Sequence, residues 1–136
     1  MSGREYVGNP RELSPAALAF IGDGVFGLMV KERLILGGTL PARKLHKLAM
    51  ERVNATAQAG AFFAIEEALT EEERGIFIRG RNANGRVAPK SCSMVDYRKA
   101  TAIEALFGYL YLKKDTQRLG ELFDVFLKTI ENLGED

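Results

Sequence analysis

Apolar residues recur three and four positions apart along most of this 136-residue chain, and an α-helix places residues at that spacing on one face. The first such run follows Ser14 and Pro15, a pair typical of an N-cap with proline in the first helical position. Gly37 and Gly38 are expected to end it. Its expected core positions are Leu18, Ile21, Val25, Leu28 and Met29. With no clear period-two pattern for a strand, the chain is predicted to form an all-α bundle of six or seven helices.

Start signals divide the rest of the chain into further helices. These signals are Thr39 with Pro41, Thr70, Asp96 and Thr116. Thr70 and Glu73 also have the spacing of a capping box, which predicts a short helix to about residue 79. An alanine-rich stretch over residues 53–69 predicts one helix ahead of it. The last helix is predicted to bury a single apolar face formed by Leu119, Leu122, Phe123, Phe126 and Leu127.

Composition narrows the classes of protein that fit. The chain is 46% hydrophobic and 27% charged, which fits a folded globular domain and argues against disorder. Charged residues interrupt every apolar run before about 18 residues, and the polar N-terminus does not resemble a signal peptide. The single Cys92 and single His46 offer neither an internal disulfide nor a zinc cluster. We expect one domain over residues 1–136, with its core about 13–130, in the cytoplasm and without membrane contact.

The segment GRNANGRVAPKSCS, residues 80–93, contains two glycines, two asparagines and a proline, and predicts a loop. Seven basic residues fall between Arg74 and Lys99, against the single acid Asp96, although the whole chain carries a net charge of only +1. A local positive excess of this kind is typical either of a solvated loop or of a surface for an anionic partner. Both interpretations stay open at this point.

Two acids lie inside strongly apolar segments, Asp23 in AFIGDGVFG and Glu104 in TAIEALFGYLYL. We expect both carboxylates to be buried, and a buried carboxylate needs a partner. Gly22 and Gly24 flank Asp23 and are expected to give clearance for another helix or a ligand.

One partner for these two acids is a divalent cation, because Mg²⁺ takes one or two carboxylates together with water and phosphate oxygens. The alternative is an ion pair with a basic residue such as Arg98 or Lys99. Spacing alone does not separate the two.

Several motifs carry a family resemblance. FIGDGVFGLMV resembles the FLGD-type signature of the ribonuclease III family, and ATAIEALFGYLYL resembles that family's second acidic motif, EALIGAIYLD. RGRNAN at residues 79–84 and YRKATAIEALFGYLYL resemble motifs of the family's short bacterial branch, whose members have no separate double-stranded-RNA-binding domain. The resemblance extends over roughly residues 13–127.

The resemblance implies a ribonuclease III catalytic-domain-like helical bundle that acts as a homodimer. It implies hydrolysis of both strands of double-stranded RNA with Mg²⁺, leaving 5′-phosphate and 3′-hydroxyl ends. Asp23 falls on the family's catalytic aspartate and Glu104 on its metal-binding glutamate, so both are expected to be catalytic and to bind the metal. The short branch is associated with maturing large-subunit (23S) ribosomal RNA, and a ribosomal protein that shapes the substrate remains an open possibility.

The chain departs from the family's pattern at four acidic positions. Ala16, Ala19, Gly27 and Thr101 stand where the family or its short branch often has a carboxylate. The resemblance therefore implies a metal site with few protein ligands, in which Thr101 either holds a water on the metal or is a helix-surface threonine. The missing acids also support an alternative function, a non-catalytic RNA-binding or ribosome-assembly module that keeps the fold.

Without a separate RNA-binding domain, contacts to RNA must come from the catalytic domain itself, through phosphates and 2′-hydroxyls. The predicted RNA-binding residues are Arg79, Arg81, Asn82, Asn84, Lys90, His46, Lys47 and Arg98. For the asparagines, formation of a left-handed turn is an equal alternative. A structural role is the alternative for His46. Aromatic residues at helical spacing are expected to form the core or a dimer interface.

Overall fold

The computed structural model describes residues 5–83, 87–90 and 92–134, and all regular secondary structure within them is helical. A 3-10 helix, Pro10–Glu12, precedes the first α-helix. The α-helices are α1 (Pro15–Leu36), α2 (Ala42–Arg52), α3 (Ala55–Gly60), α4 (Phe62–Glu67), α5 (Glu71–Arg81), α6 (Met94–Leu112) and α7 (Thr116–Gly134). The all-α prediction is confirmed for the described residues.

Two of the predicted helix starts have the expected capping bonds. The Ser14 hydroxyl oxygen accepts a hydrogen bond from the backbone N–H of Ala17 at 3.1 Å, with Pro15 in the first turn of α1. Thr70 and Glu73 form a reciprocal capping box at the start of α5, with bonds of 2.9 and 3.2 Å. Short-range sequence signals therefore set these two boundaries.

Three other boundaries differ from the prediction. Pro41 rather than Thr39 occupies the N-cap of α2, where no side chain caps the helix. Ser93 caps α6 by accepting from the N–H of Asp96, so Asp96 lies in the first turn. The stretch 53–69 is two short helices, because the chain leaves helical geometry at Ala61. Gly60 directly precedes that break, and glycine disfavours a helix interior.

The core is built around α6, which is buried on most sides from Ala100 to Leu110 and packs against α1, α3, α5 and α7. Phe26 of α1 contacts aromatic rings of α6 and α7, with centroid distances of 5.6 Å to Phe107 and 4.8 Å to Phe126. The predicted buried face of α7 is confirmed at all five positions. Leu28, in contrast, is half exposed rather than a core residue.

Helices α1 and α6 cross at a contact between backbones. A Cβ atom added to Gly22 would lie 1.7 Å from the carbonyl oxygen of Glu104, and one added to Gly108 would lie 2.0 Å from the carbonyl oxygen of Leu18. Since Gly22 meets Glu104 while Leu18, earlier in α1, meets Gly108, later in α6, the two helices run antiparallel. Only glycine permits this approach, so the two glycines fix the register between the helices.

Among the residues that the structure describes, no helix combines the length and the apolar character that crossing a bilayer requires.

Candidate active site

The helix crossing brings the two predicted catalytic acids into the same region. Asp23 directly follows Gly22, whose backbone touches that of Glu104. The two carboxylates therefore project from facing helices within one turn of the contact point. Residues far apart in the sequence become neighbours because Gly22 and Gly108 have no side chains where the two helices meet.

The expectation that both acids are buried is wrong for Asp23, which is exposed, while Glu104 is half-buried. The buried stripe of α1 passes through Leu18, Gly22 and Phe26, and Asp23 lies at its edge. Water therefore reaches the Asp23 carboxylate in the free protein. A substrate can reach it without a change in the fold.

The structure also separates the two explanations given for Asp23. Among the described residues, Asp23 makes no ion pair with Arg98 or Lys99. The Lys99 ammonium lies instead over two aromatic rings, 4.8 Å from the centroid of Phe63 and 5.8 Å from that of Phe62. The Asp23 carboxylate thus keeps its oxygen atoms for another ligand.

The glycines beside Asp23 differ in what they do. Gly22 gives clearance for α6, as expected. Gly24 has no atom within 4 Å of where its Cβ would be, so it provides no close approach between described residues. The prediction that both make room around Asp23 therefore holds only for Gly22.

Thr101 is not a helix-surface threonine. Its side chain is buried, and its hydroxyl donates a hydrogen bond to the carbonyl oxygen of Tyr97 at 2.9 Å. The hydroxyl therefore closes a bond within α6, and its contact with a metal-bound water stays a prediction. Within the described part of the chain, no three or more His, Cys, Asp or Glu residues come together as a metal-binding group.

The donor set at the crossing nevertheless suits Mg²⁺. Asp23 and Glu104 supply hard carboxylate oxygens, which this ion prefers, and exposure at Asp23 leaves space for water and phosphate oxygens. Two carboxylates leave most of an octahedral shell to be completed by those oxygens. The residues present therefore fit a Mg²⁺ ion held by few protein ligands.

Four of the predicted RNA-binding residues lie at the end of α5 and the start of α6. Arg79 is exposed and donates to the carbonyl oxygens of Arg11 and Leu13, at 3.1 and 3.4 Å. Arg81 is half-buried and donates to the side-chain oxygen of Asn82 at 3.2 Å. Arg98 is exposed and lines a small cleft between the two helices. This end of the molecule is basic and partly exposed.

His46 and Lys47 are exposed on α2, away from that cluster. Helix α2 packs against α1, where His46 lines an apolar groove with Lys31 and Ile35. Lys31 is eight residues beyond Asp23, which places this groove roughly 12 Å along α1 from the acid at 1.5 Å per residue. The predicted RNA-binding residues thus form two groups.

Two predicted RNA-binding residues remain, Lys90, which lies between α5 and α6, and Asn84. Lys90 is exposed in a turn and forms no ion pair within the described residues. Asn84 lies outside the described residues.

Two residues with unusual environments were missed in the sequence. Phe20 is 83% exposed on α1, although it lies in an apolar run. Gln58 is buried, and its side-chain nitrogen has no hydrogen-bond partner in the described structure. Phe20 falls outside the three- and four-residue spacing of the α1 core positions, which was a usable signal. Nothing in the sequence marked Gln58.

The fold is shared with a solved protein. A crystal structure of a protein from Fusobacterium nucleatum matches with a TM-score of 0.80 and 30% sequence identity, covering 90% of this chain and 99% of that one. The model of the Ribonuclease III domain matches residues 16–115, a range that contains both Asp23 and Glu104. The architecture is that of a ribonuclease III catalytic domain.

Curated relatives agree over almost the whole chain. Mini-ribonuclease 3 of Symbiobacterium thermophilum is 42% identical over 123 residues, covering 90% of this chain and 95% of the relative. Mini-ribonuclease 3 of Brevibacillus brevis is 37% identical, covering 96% and 98%, and that of Streptococcus pneumoniae is 39% identical, covering 85% and 91%. The chain belongs to the ribonuclease III family and is an endoribonuclease.

Proposed function

We propose that this endoribonuclease cleaves both strands of double-stranded RNA with Mg²⁺, as a homodimer, and matures the ends of large-subunit (23S) ribosomal RNA precursors. The observation that supports the chemistry is the contact between Gly22 and Glu104, which brings the two acid-bearing helix turns together, with Asp23 exposed and Glu104 half-buried. The family resemblance supports the products, which end in 5′-phosphate and 3′-hydroxyl groups. It is also the support for the ribosomal RNA substrate and for the cytoplasm as the place of action.

Asp23 and Glu104 are the residues that would hold the metal ion. When bound there, Mg²⁺ would neutralise charge on the scissile phosphate and lower the pKa of the attacking water. The protein's own part is to hold the two carboxylates at fixed positions on facing helices. The exposed Asp23 carboxylate also leaves an open path for the phosphate to approach.

Contacts to the RNA are assigned to cations that the protein does not use internally. Lys47, Lys90 and Arg98 are exposed and form no ion pair with a described residue. By contrast, Arg33 pairs with Asp124 at 2.8 Å, and Arg118 pairs with Glu73 at 2.8 Å. Free cations suit phosphate oxygens, and duplex RNA is recognised mainly through its backbone and shape. Arg81, Asn82 and His46 lie beside them and complete the proposed surface.

The homodimer is supported by the outer face of α1. Phe20, Leu28 and Ile35 lie on this face with exposures of 83%, 50% and 65%. Apolar side chains so exposed along one helix favour a partner surface, and a second copy of the chain would present the same face. In that arrangement the helix that carries Asp23 would lie at the interface, so the two sites would face one duplex.

A cleavage assay on defined RNAs tests this proposal. The substrates are a duplex from the base-paired ends of a large-subunit ribosomal RNA precursor, an unrelated duplex of equal length, and one separated strand. We expect cutting of duplexes with Mg²⁺ and none with EDTA or with the single strand. Preference for the precursor duplex would support the ribosomal substrate. Adding large-subunit ribosomal proteins tests whether one of them shapes it. Binding without cutting under every condition would contradict the proposal.

A further inference from the structure

Arg79, in the last turn of α5, is bonded to the segment that precedes α1. Its guanidinium donates to the carbonyl oxygens of Arg11 and Leu13, which lead directly into the Ser14 cap of α1. Arg79 therefore ties the end of α5 to the start of the helix that carries Asp23.

The neighbouring residue, Gly80, ties the same turn of α5 to α6. A Cβ atom on Gly80 would lie 2.9 Å from the Cβ of Ala105 and 3.2 Å from the carbonyl oxygen of Thr101. Those two residues flank Glu104 in α6. The last turn of α5 thus contacts the turn of α6 that carries Glu104. The same turn of α5 is bonded to the segment that precedes α1, the helix that carries Asp23.

Together with the crossing of α1 and α6, these contacts connect α1, α5 and α6 to one another. The backbone contacts at Leu18 and Gly22 hold α1 against α6 within a single turn of α1. Ser14 lies eight residues before Gly22, roughly 12 Å along α1, so a restraint there further limits the tilt of α1. A small tilt would move the Asp23 carboxylate relative to Glu104. Errors of about 1 Å in placing reacting groups cost on the order of 100-fold in rate.

The segment ahead of α1 is held at further points. The Arg11 side chain pairs with Glu72 at 3.4 Å, and Glu72 also pairs with Lys113 of the α6 C-terminus at 3.0 Å. Glu5 pairs with Lys114. The segment from Glu5 to Leu13 is therefore bound to α5 and to the end of α6, and we call it the strap. Arg79 binds the end of the strap nearest α1.

We propose that Arg79 is a positioning residue, which sets the distance between Asp23 and Glu104 by holding the backbone of Arg11 and Leu13. This inference rests on the proposed metal-dependent cleavage. It gives Arg79 a role different from contact with an RNA phosphate. The two roles make opposite predictions, because a phosphate contact needs the positive charge whereas the strap needs two donors in a fixed fork.

The test compares Arg79→Ala and Arg79→Lys with Arg81→Ala and Arg74→Ala in the full-length protein. Lysine keeps the charge and cannot reproduce the fork to both carbonyls. Cleavage is measured at saturating duplex RNA across Mg²⁺ concentrations. Duplex affinity is measured without Mg²⁺ at several salt concentrations, and Mg²⁺ affinity of the free protein by calorimetry. Thermal unfolding confirms that each variant is folded.

For both Arg79 variants we expect the rate at saturating RNA to fall about 10- to 100-fold and the Mg²⁺ requirement to rise, while duplex affinity and its salt dependence stay unchanged. Arg81→Ala should weaken duplex affinity instead, and Arg74→Ala, whose side chain forms no hydrogen bond or ion pair with a described residue, should change neither. Full activity of Arg79→Lys, or a weaker salt dependence in Arg79→Ala, would overturn the proposal. A wild type that binds the duplex but never cuts it would contradict the proposed function. In that case the positioning role of Arg79 is tested by calorimetry alone, and equal Mg²⁺ affinity of the wild type and Arg79→Ala would overturn it.

Discussion

The backbone of Gly22 touches that of Glu104 so closely that a Cβ on residue 22 would lie 1.7 Å from the Glu104 carbonyl oxygen. This contact joins the two motifs that carry the acids, which are distant in the sequence. It also explains why an exposed carboxylate follows an apolar run, since the run serves the helix crossing and the acid lies beside it. The site therefore depends on a glycine as much as on the acids themselves.

Replacing Gly22 with alanine should destabilise the fold. The added methyl group would meet backbone atoms, which cannot rotate away as a side chain can, so we expect a loss of about 3 kcal/mol or more in the free energy of unfolding. Chemical denaturation measures it. The matched control is Gly75→Ala in α5, where the new Cβ meets no atom within 4 Å. That change should stabilise by about 0.5–1 kcal/mol through helix propensity. Equal effects of the two substitutions would contradict the crossing geometry.

Replacing Phe20 with aspartate should give a monomer. The side chain is 83% exposed in the single chain, so the change should leave the fold intact while placing a charge on the proposed interface. Analytical ultracentrifugation compares wild type and variant at equal concentration. Val95→Asp, at another exposed apolar position in the first turn of α6, is the control and should remain dimeric. A wild-type monomer at micromolar concentration would count against the dimer.

Acid should weaken the fold through Glu73. Burial raises the pKa of this carboxyl, but hydrogen bonds from Arg118 and Thr70 outweigh burial and hold the pKa below its usual 4.5. The unfolded chain therefore takes up this proton at a higher pH than the folded chain. The stabilisation is fully present above about pH 4.5 and is lost as the pH falls through the lower, folded pKa.

Urea unfolding of wild type and Glu73→Gln at several pH values checks this dependence. The variant should show a smaller loss of stability between pH 6 and pH 3 than the wild type does. Arg118→Ala should cost about 3 kcal/mol at neutral pH, because it leaves a buried carboxylate without its partner. An Arg118→Ala protein as stable as the wild type would show that the pair is not important for stability.

Removing the unpaired cations should weaken RNA binding without changing the rate of cutting at saturation. Lys47→Ala and Arg98→Ala should each reduce the salt dependence of duplex affinity by roughly one ion, since each would remove one phosphate contact. Lys128→Ala, an exposed lysine on α7, is the control. Binding curves at several salt concentrations measure the effect. An unchanged slope in both variants would place the RNA elsewhere on the surface.

Much of the helical framework was predictable because local chemistry sets it. The Ser14 cap, the Thr70 capping box and the buried face of α7 each follow from short-range spacing. The break at Ala61 was missed although Gly60 directly precedes it, because one helix was predicted from the alanine content of the whole stretch 53–69 and glycine disfavours a helix interior.

The motifs predict that Asp23 and Glu104 act together, and the helix crossing brings them into one region, while their catalytic role stays a prediction. Hydrophobicity failed to show that Asp23 is exposed. The reason is that α1 is apolar on its outer face as well, at Phe20 and Leu28, so apolar character does not mark burial there. The bonds from Arg79 to backbone carbonyls leave no trace in the sequence.

We propose that Asp23 and Glu104 act together in Mg²⁺-dependent cleavage. The measurement that tests this most directly is the single-turnover rate at saturating duplex RNA for Asp23→Asn and Glu104→Gln. Each should cut at least about 1,000-fold more slowly than the wild type, corresponding to about 4 kcal/mol of lost transition-state stabilisation, while still folding and binding the duplex. Asp96→Asn, an acid in the first turn of the same α6 helix, should cut at nearly the wild-type rate. Wild-type cutting by Asp23→Asn or Glu104→Gln would contradict the account.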